Sequence, residues 1–255
     1  MLALTHIPSP TLDHGQRTHV AREVVDYELA LRQHADYCRM LRECGAEVET
    51  LDVNCDQPDG TFIEDTAVVL DEIAVLTSMG TAARRMEPSR IEPELRKYRE
   101  IERIEPPANL EGGDVLRIGR TILIGLSERT NISGVQAFES IVRRFGYRVL
   151  PVQVRQCLHL KTACTALPDG RLLINPSWME LKSLHGFDTL AVADDEPWAA
   201  NTLPINNRVL ISSANPQTAE MLRRLSFDVC TLSLSEFAKV EGCVTCLSLL
   251  FRNSQ

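Results

Sequence analysis

The sequence predicts a single α/β domain, residues 1–255, in which five ββαβ units close into a five-bladed propeller around a central channel. Three observations predict it. A polar residue that opens a short apolar strand, a turn and a second apolar strand recurs at intervals of about 42 to 49 residues. The segments between copies carry apolar stripes of helical period and helix-capping residues. The last copy runs out after one strand, and the N-terminal strand Leu2 to Thr5 closes the ring.

Residues 24–44 read as the first helix, with Val24, Tyr27, Leu31, Cys38 and Leu41 on one stripe and Gly45 as its stop. The first unit starts at Glu64-Asp65, turns at Asp71-Glu72, returns through Ala74-Val75-Leu76 and passes Arg84-Arg85 into a helix near Pro88. The second starts at Glu111-Gly112-Gly113-Asp114, turns at Gly119-Arg120, and leads through Ser127-Glu128-Arg129-Thr130-Asn131 to a helix striped by Val135, Phe138, Val142 and Phe145 and ended by Gly146. The third starts at His159, turns at Asp169-Gly170 and exits at Asn175, after which Ser177 and Glu180 form a capping-box pattern ahead of Leu181 and Leu184. The fourth starts at Asn201, turns at Asn206-Asn207 and exits at Asn215-Pro216, an N-cap and first-turn proline. In the fifth, residues 239–248 read as a strand entered through a turn at Gly242. Side chains alternate along a strand, so Cys243 and Cys246 would face opposite ways, with Cys246 the functional one. A cyclic array of these units would gather Asp65, Glu111, Asp114, His159, Asn201 and Cys246 into one cavity.

Composition narrows the class. With 255 residues, 44% apolar and 24% charged, the chain can bury a full core. No apolar run approaches the roughly 20 residues that span a bilayer, and no basic flank precedes an apolar stretch at the N-terminus. A soluble, unprocessed, cytoplasmic protein is expected, its eight cysteines reduced. A net charge of −8 without dense Lys/Arg clusters argues against nucleic acid and anionic membranes, and mildly favours a cationic ligand. Oligomeric state is not legible, a homodimer being one arrangement compatible with the chain.

Phe62-Ile63-Glu64-Asp65, Leu110-Glu111-Gly112-Gly113-Asp114, Ser127-Glu128-Arg129-Thr130-Asn131, Leu158-His159-Leu160-Lys161 and Thr245-Cys246 together resemble the dimethylarginine dimethylaminohydrolases, of the guanidine-modifying, pentein-like α/β-propeller superfamily. The likeness covers the chain from about residue 24 onward, in order and at compatible spacing. The length and the lack of an inserted helical domain resemble this family rather than the longer arginine deiminases.

What the resemblance implies is a Cys246 nucleophile, His159 as acid and then base, and Glu111 orienting the imidazole. Asp59, Glu64 and Asp65 would bind the substrate, Arg84 and Arg129 its α-carboxylate, and the Val240 carbonyl its α-amine. The substrate class is a small guanidino amino acid, with no cofactor and no metal. By residue type alone each position has a plainer reading. Glu64-Asp65 can be a solvated strand end, Arg84-Arg85 a charge pair leading a helix, Glu111 to Asp114 a tight turn, His159 a core histidine; Cys157, His159 and Cys243 could instead be zinc ligands. The chain also departs from the family. The loop Leu12-Asp13-His14-Gly15-Gln16-Arg17 presents Gln16 where relatives carry a leucine over the ligand, and Glu241 stands where aspartate is usual. Hydrolysis of an Nω-methylated L-arginine to citrulline and an alkylamine is therefore expected. The alternatives are deimination of arginine or another guanidino acid, and a non-catalytic propeller that binds arginine-like ligands or a partner.

Overall fold

The first strand, β1 (Leu2–His6), is buried along its whole length, as an apolar run covered on both faces should be. Helix α1 (Tyr27–Glu43) begins three residues later than its stripe implies. Asp26 caps it by accepting the Leu29 N–H at 2.9 Å, and Val24 is left 82% exposed. Gly45, at φ +87°, ends the helix, and β2 (Glu47–Leu51) then pairs parallel to β1.

The same plan recurs along the chain, for which the computed structural model describes residues 1–253. Strands β3 (Ala67–Val69) and β4 (Ile73–Leu76) form a hairpin, α2 (Glu87–Leu95) crosses over, and β5 (Glu100–Arg103) pairs parallel to β4. Next come β6 (Val115–Ile118), β7 (Thr121–Leu126), α3 (Ile132–Val142) and β8 (Arg148–Gln153). A single helical turn, α4 (Leu160–Ala163), introduces β9 (Cys164–Ala166), β10 (Leu172–Ile174) and β11 (Thr189–Ala191). The fourth hairpin, β12 (Leu203–Ile205) with β13 (Arg208–Ser212), is followed by α5 (Pro216–Arg224) and β14 (Asp228–Leu232). After α6 (Ser235–Ala238), the last strand β15 (Ser248–Phe251) pairs antiparallel with β1. The result is five three-stranded sheets, each an antiparallel pair plus a parallel third strand, with the two chain ends sharing one sheet.

The apolar core lies between successive sheets. Leu2, Leu4 and Leu249 meet Ala67, Ala74 and Leu76; Ile73 and Val75 meet Val115, Ile122 and Ile124; Leu116 and Leu123 meet Leu172 and Ile174; Leu173 meets Val209 and Leu222. Leu203, Ile205 and Leu210 then pack with Ala3, Tyr37 and Leu41, returning to the first sheet. Each fully buried Leu, Ile or Phe contributes roughly 1.5–3 kcal/mol, so this sheet-to-sheet burial is what fixes the strand starts relative to one another. Among the described residues no helix is long and apolar enough to cross a membrane.

Three local expectations are corrected. The segment after β10 forms only a short 3-10 turn, Leu181–Leu184, and no side chain caps it. At α5 Asn215 makes no cap bond; the two oxygens of Glu196 take the Gln217 and Thr218 N–H instead, each at 2.7 Å. Residues 239–247 are not a strand. The N–H groups of Val240, Glu241 and Gly242 turn back onto the Phe237 and Ala238 carbonyls at 3.0, 3.2 and 2.8 Å, continuing the winding of α6. A Cβ on Gly242 would sit 2.4 Å from the Phe62 ring, so the chain passes where only glycine fits. Cys246 therefore lies in the turn that leads into β15, and strand alternation does not separate it from Cys243.

Candidate active site

The strand starts deliver the predicted residues from separate sheets. Glu64 and Asp65 sit on a 3-10 turn before β3, and Glu111 stands at the turn Gly112–Asp114 before β6. His159 is the residue before α4, and Cys246 precedes β15. Gly112 and Gly113 make the approach possible: a Cβ on Gly112 would lie 1.9 Å from the Glu64 carbonyl oxygen, and one on Gly113 2.6 Å from His159 Nδ1.

His159 is buried, with Nε2 2.7 Å from Glu111 Oε2 and Nδ1 3.8 Å from Asp65 Oδ1. Burial alone would depress its pKa, but Asp65 and the Glu111 hydrogen bond outweigh it and hold the imidazole at about 9. It is an imidazolium at neutral pH. Glu111 is fixed in turn by the Gly80 N–H at 2.9 Å and faces Arg129 Nη1 at 3.6 Å. Asp65 is pushed up by burial yet held below the usual carboxylate range by His159 and Arg84; it accepts from Arg84 Nη1 at 2.7 Å and from the Gly113 N–H at 3.1 Å.

The half-buried Cys246 thiol lies 3.3 Å from the Cys243 N–H, which donates to it. Burial, followed by the neighbouring Cys243, Glu64 and Asp65, raises its pKa well above that of a free thiol, so in the ligand-free protein it is protonated. Glu64 is joined to this turn through its own N–H, 3.2 Å from the Cys246 carbonyl. Lys161 Nζ holds Glu64 Oε1 at 2.7 Å, while Oε2 is buried and has no hydrogen-bond partner among the described residues. A buried carboxylate oxygen of this kind suits a cationic donor; burial raises the Glu64 pKa, and Lys161 offsets only part of that rise.

The two arginines differ. Arg84 is buried and largely committed: Nε and Nη2 bind Glu87, Nη2 also binds the Phe62 carbonyl at 3.1 Å, and Nη1 binds Asp65. One of its five N–H groups is left over. Arg129 is equally buried, with the 3.6 Å approach to Glu111 its closest charged contact among the described residues. Asp59, raised by burial, faces both arginines and accepts the Gln16 N–H on both oxygens, at 3.1 and 3.2 Å. Val240 is buried, and no donor reaches its carbonyl among the described residues.

Asp114 and Asn201 do not open into the site. Asp114, raised to about 6 by burial, is occupied by the Ser127 hydroxyl and the Leu160 N–H at 2.6 and 2.8 Å. Asn201 is spent on the Lys161 carbonyl and on the hydroxyl and N–H of Thr245. They hold the His159 and Cys246 segments in place. Gly80 and Glu87 are missed by the sequence reading, and Lys161 enters it only as the last residue of the His159 motif; the Arg84–Glu87 spacing of three is a readable signal.

Asp65, Glu111 and His159 present donor atoms within 4.8 Å of one another, a separation a metal ion could bridge. The carboxylate oxygens are already matched by Arg84, Gly113, Gly80 and His159 Nε2, and two guanidinium groups adjoin them, a poor setting for a cation of higher charge. Cys157 points elsewhere, its thiol donating to the His159 carbonyl at 3.5 Å.

Fold and site together bring a thiol, an imidazole–carboxylate pair and further buried carboxylates to one set of strand starts. The sequence profile of the family described as N,N dimethylarginine dimethylhydrolase, eukaryotic, matches residues 10–168. The chain is 39% identical to the N(G),N(G)-dimethylarginine dimethylaminohydrolase of Streptomyces coelicolor over 98% of this chain and 96% of that protein. Among solved structures, a dimethylarginine dimethylaminohydrolase variant in adduct with S-methyl-L-thiocitrulline aligns at a TM-score of 0.92 and 30% identity, covering 98% of this chain and 99% of that one. A cysteine-to-serine mutant of the Pseudomonas aeruginosa enzyme, complexed with citrulline, aligns at 0.90 and 30% identity over 98% of both chains. The protein belongs to the dimethylarginine dimethylaminohydrolase family.

Proposed function

We propose that this protein hydrolyses the guanidino C–N bond of an Nω-methylated L-arginine, giving L-citrulline and an alkylamine through a thiouronium on Cys246. The observation that carries the reading is the gathering of His159, three carboxylates and the Cys246 turn: His159 Nε2 lies 2.7 Å from Glu111 and Nδ1 3.8 Å from Asp65, while the Glu64 N–H reaches the Cys246 carbonyl at 3.2 Å. The relatives complexed with citrulline and thiocitrulline support the same ligand class.

A bound guanidinium would donate N–H groups to Glu64 and Asp65 and lay its cationic carbon beside Cys246. That charge lowers the thiol pKa, the proton passes to solvent, and the thiolate adds to the carbon. With Nε2 held by Glu111, His159 presents Nδ1 and gives its proton to the departing amine, so the C–N bond breaks and the thiouronium remains. The imidazole, now neutral, takes a proton from water. Hydroxide adds, the C–S bond breaks as the hydroxyl proton passes to solvent, and citrulline leaves with the thiolate restored.

Arg129, with its fork uncommitted, is the main partner assigned to the α-carboxylate, Arg84 adding its spare N–H. This contact exists in both ground and transition states, so Arg129→Ala is expected to raise KM about 10- to 150-fold, the equivalent of 1.5–3 kcal/mol, with little change in kcat. Agmatine lacks that carboxylate. Wild-type enzyme should discriminate strongly against it and Arg129→Ala should narrow the gap. Equal wild-type turnover of agmatine and methylarginine would remove the amino-acid half of the substrate. Arg84→Ala would also leave Glu87 an unpaired buried charge and remove one partner of Asp65, so a stability loss of about 3–5 kcal/mol should accompany it.

The five sheets are read as blades of a single propeller domain, residues 1–255, around a central channel; burial passing from each sheet to the next and back to the first supports that closure. Eight unpaired cysteines fit a reducing cytoplasm.

A further inference from the structure

We infer that Glu241 is a positioning residue, the latch that holds the loop of residues 16–25 over the amino-acid end of the substrate. Its carboxylate is buried, only 7% exposed, and both oxygens are used by consecutive loop amides: Oε2 accepts the Thr18 N–H at 2.7 Å and Oε1 the His19 N–H. Glu241 reaches this position with φ at +61°, a conformation costly for a residue with a Cβ. Such strain persists where the surrounding bonds over-determine it, and here two other contacts tie the same two segments. Arg17 Nε donates to the Lys239 carbonyl at 2.8 Å, and Lys239 Nζ to the Val24 carbonyl at 3.1 Å. On the opposite side, Asp59 takes the Gln16 N–H on both oxygens. The loop backbone thus lies between two buried carboxylates. One faces Arg84 and Arg129; the other adjoins the Val240 carbonyl and lies close enough to Cys243 to raise its thiol pKa.

An aspartate at this position, one methylene shorter, could not span to the two loop amides from the same backbone. Glutamate spends its charge on the loop, and the substrate's α-ammonium is left to the unmatched Val240 carbonyl. Recognition of the amino group then depends on loop closure. The substrate part of this inference rests on the function proposed above; the latch itself does not.

Hydrogen exchange of the Thr18 and His19 amides in the ligand-free protein tests the latch without any substrate. Glu241→Gln leaves a single acceptor oxygen for two amides, and Glu241→Gly removes the carboxylate while relieving the positive φ, so it does not threaten folding. Both should speed exchange at Thr18 and His19 at least about 10-fold and speed alkylation of Cys246 by iodoacetamide. In steady-state assays of monomethylarginine, KM should rise about 10-fold with kcat nearly unchanged. Glu241→Asp should resemble Glu241→Gln. Unchanged exchange at both amides in Glu241→Gly overturns the latch, and faster exchange with unaltered KM overturns its part in holding substrate. Faster exchange in a protein that turns over no arginine derivative supports the latch and rejects the substrate reading alone.

Discussion

Cys246→Ser is expected to lose at least about 10⁴-fold in kcat, the scale set by removing a nucleophile that acts with its base as a unit. Serine keeps the size of the side chain, so folding should change little, and substrate should still bind. A hydroxyl has too high a pKa for the bound cation to ionise, which is why the loss falls on the chemical step. Cys243→Ser is the control with a physical rationale. Cys243 acts on Cys246 through its backbone N–H, at 3.3 Å from Sγ, and serine retains that N–H. Most activity should survive. Equal losses in the two variants, measured in a citrulline assay, would remove Cys246 from its assigned role.

His159→Gln should lower kcat at least about 10²-fold, the lower range for general acid–base catalysis, with amine release the impaired step. It also has a signature in stability. Folding raises the His159 pKa from 6.5 to about 9, so the folded state binds the proton more tightly. The resulting stabilisation is fully present below pH 6.5, is lost as pH rises through about 9, and amounts to about 3 kcal/mol. Urea unfolding of wild type and His159→Gln across that range should show a stability difference that shrinks with rising pH. A difference independent of pH would mean that the imidazole is not held as a cation by Asp65 and Glu111.

Much of the frame was legible because its signals are local. The turns at Gly119, Asp169-Gly170 and Asn206-Asn207 mark hairpins that the structure contains between β6 and β7, β9 and β10, and β12 and β13. Polar residues at strand starts reported the gathering of Asp65, Glu111 and His159. Local signals failed where distant groups decide the geometry. The run from Lys239 to Leu247 reads as a strand, yet Phe237 carbonyl bonds and the Phe62 ring wind it into the turn that carries Cys246. Asn215 has the residue type of a cap, but Glu196 does the capping. Asp114 and Asn201 stand at equivalent repeat positions and still face backbone amides and carbonyls. Lys161 and Glu64, 97 residues apart, carry no pattern that pairs them. The commitment of Arg84 to Glu87 likewise separates its role from that of Arg129, a distinction two similar arginines in a sequence do not display.

Turnover of asymmetric dimethylarginine, monomethylarginine and arginine by the same wild-type preparation, with both products quantified, tests the central assignment most directly. The expected outcome is citrulline and dimethylamine in one-to-one ratio from dimethylarginine, citrulline and methylamine from monomethylarginine, and little ammonia from arginine. Arginine converted to citrulline and ammonia faster than either methylated substrate would contradict it.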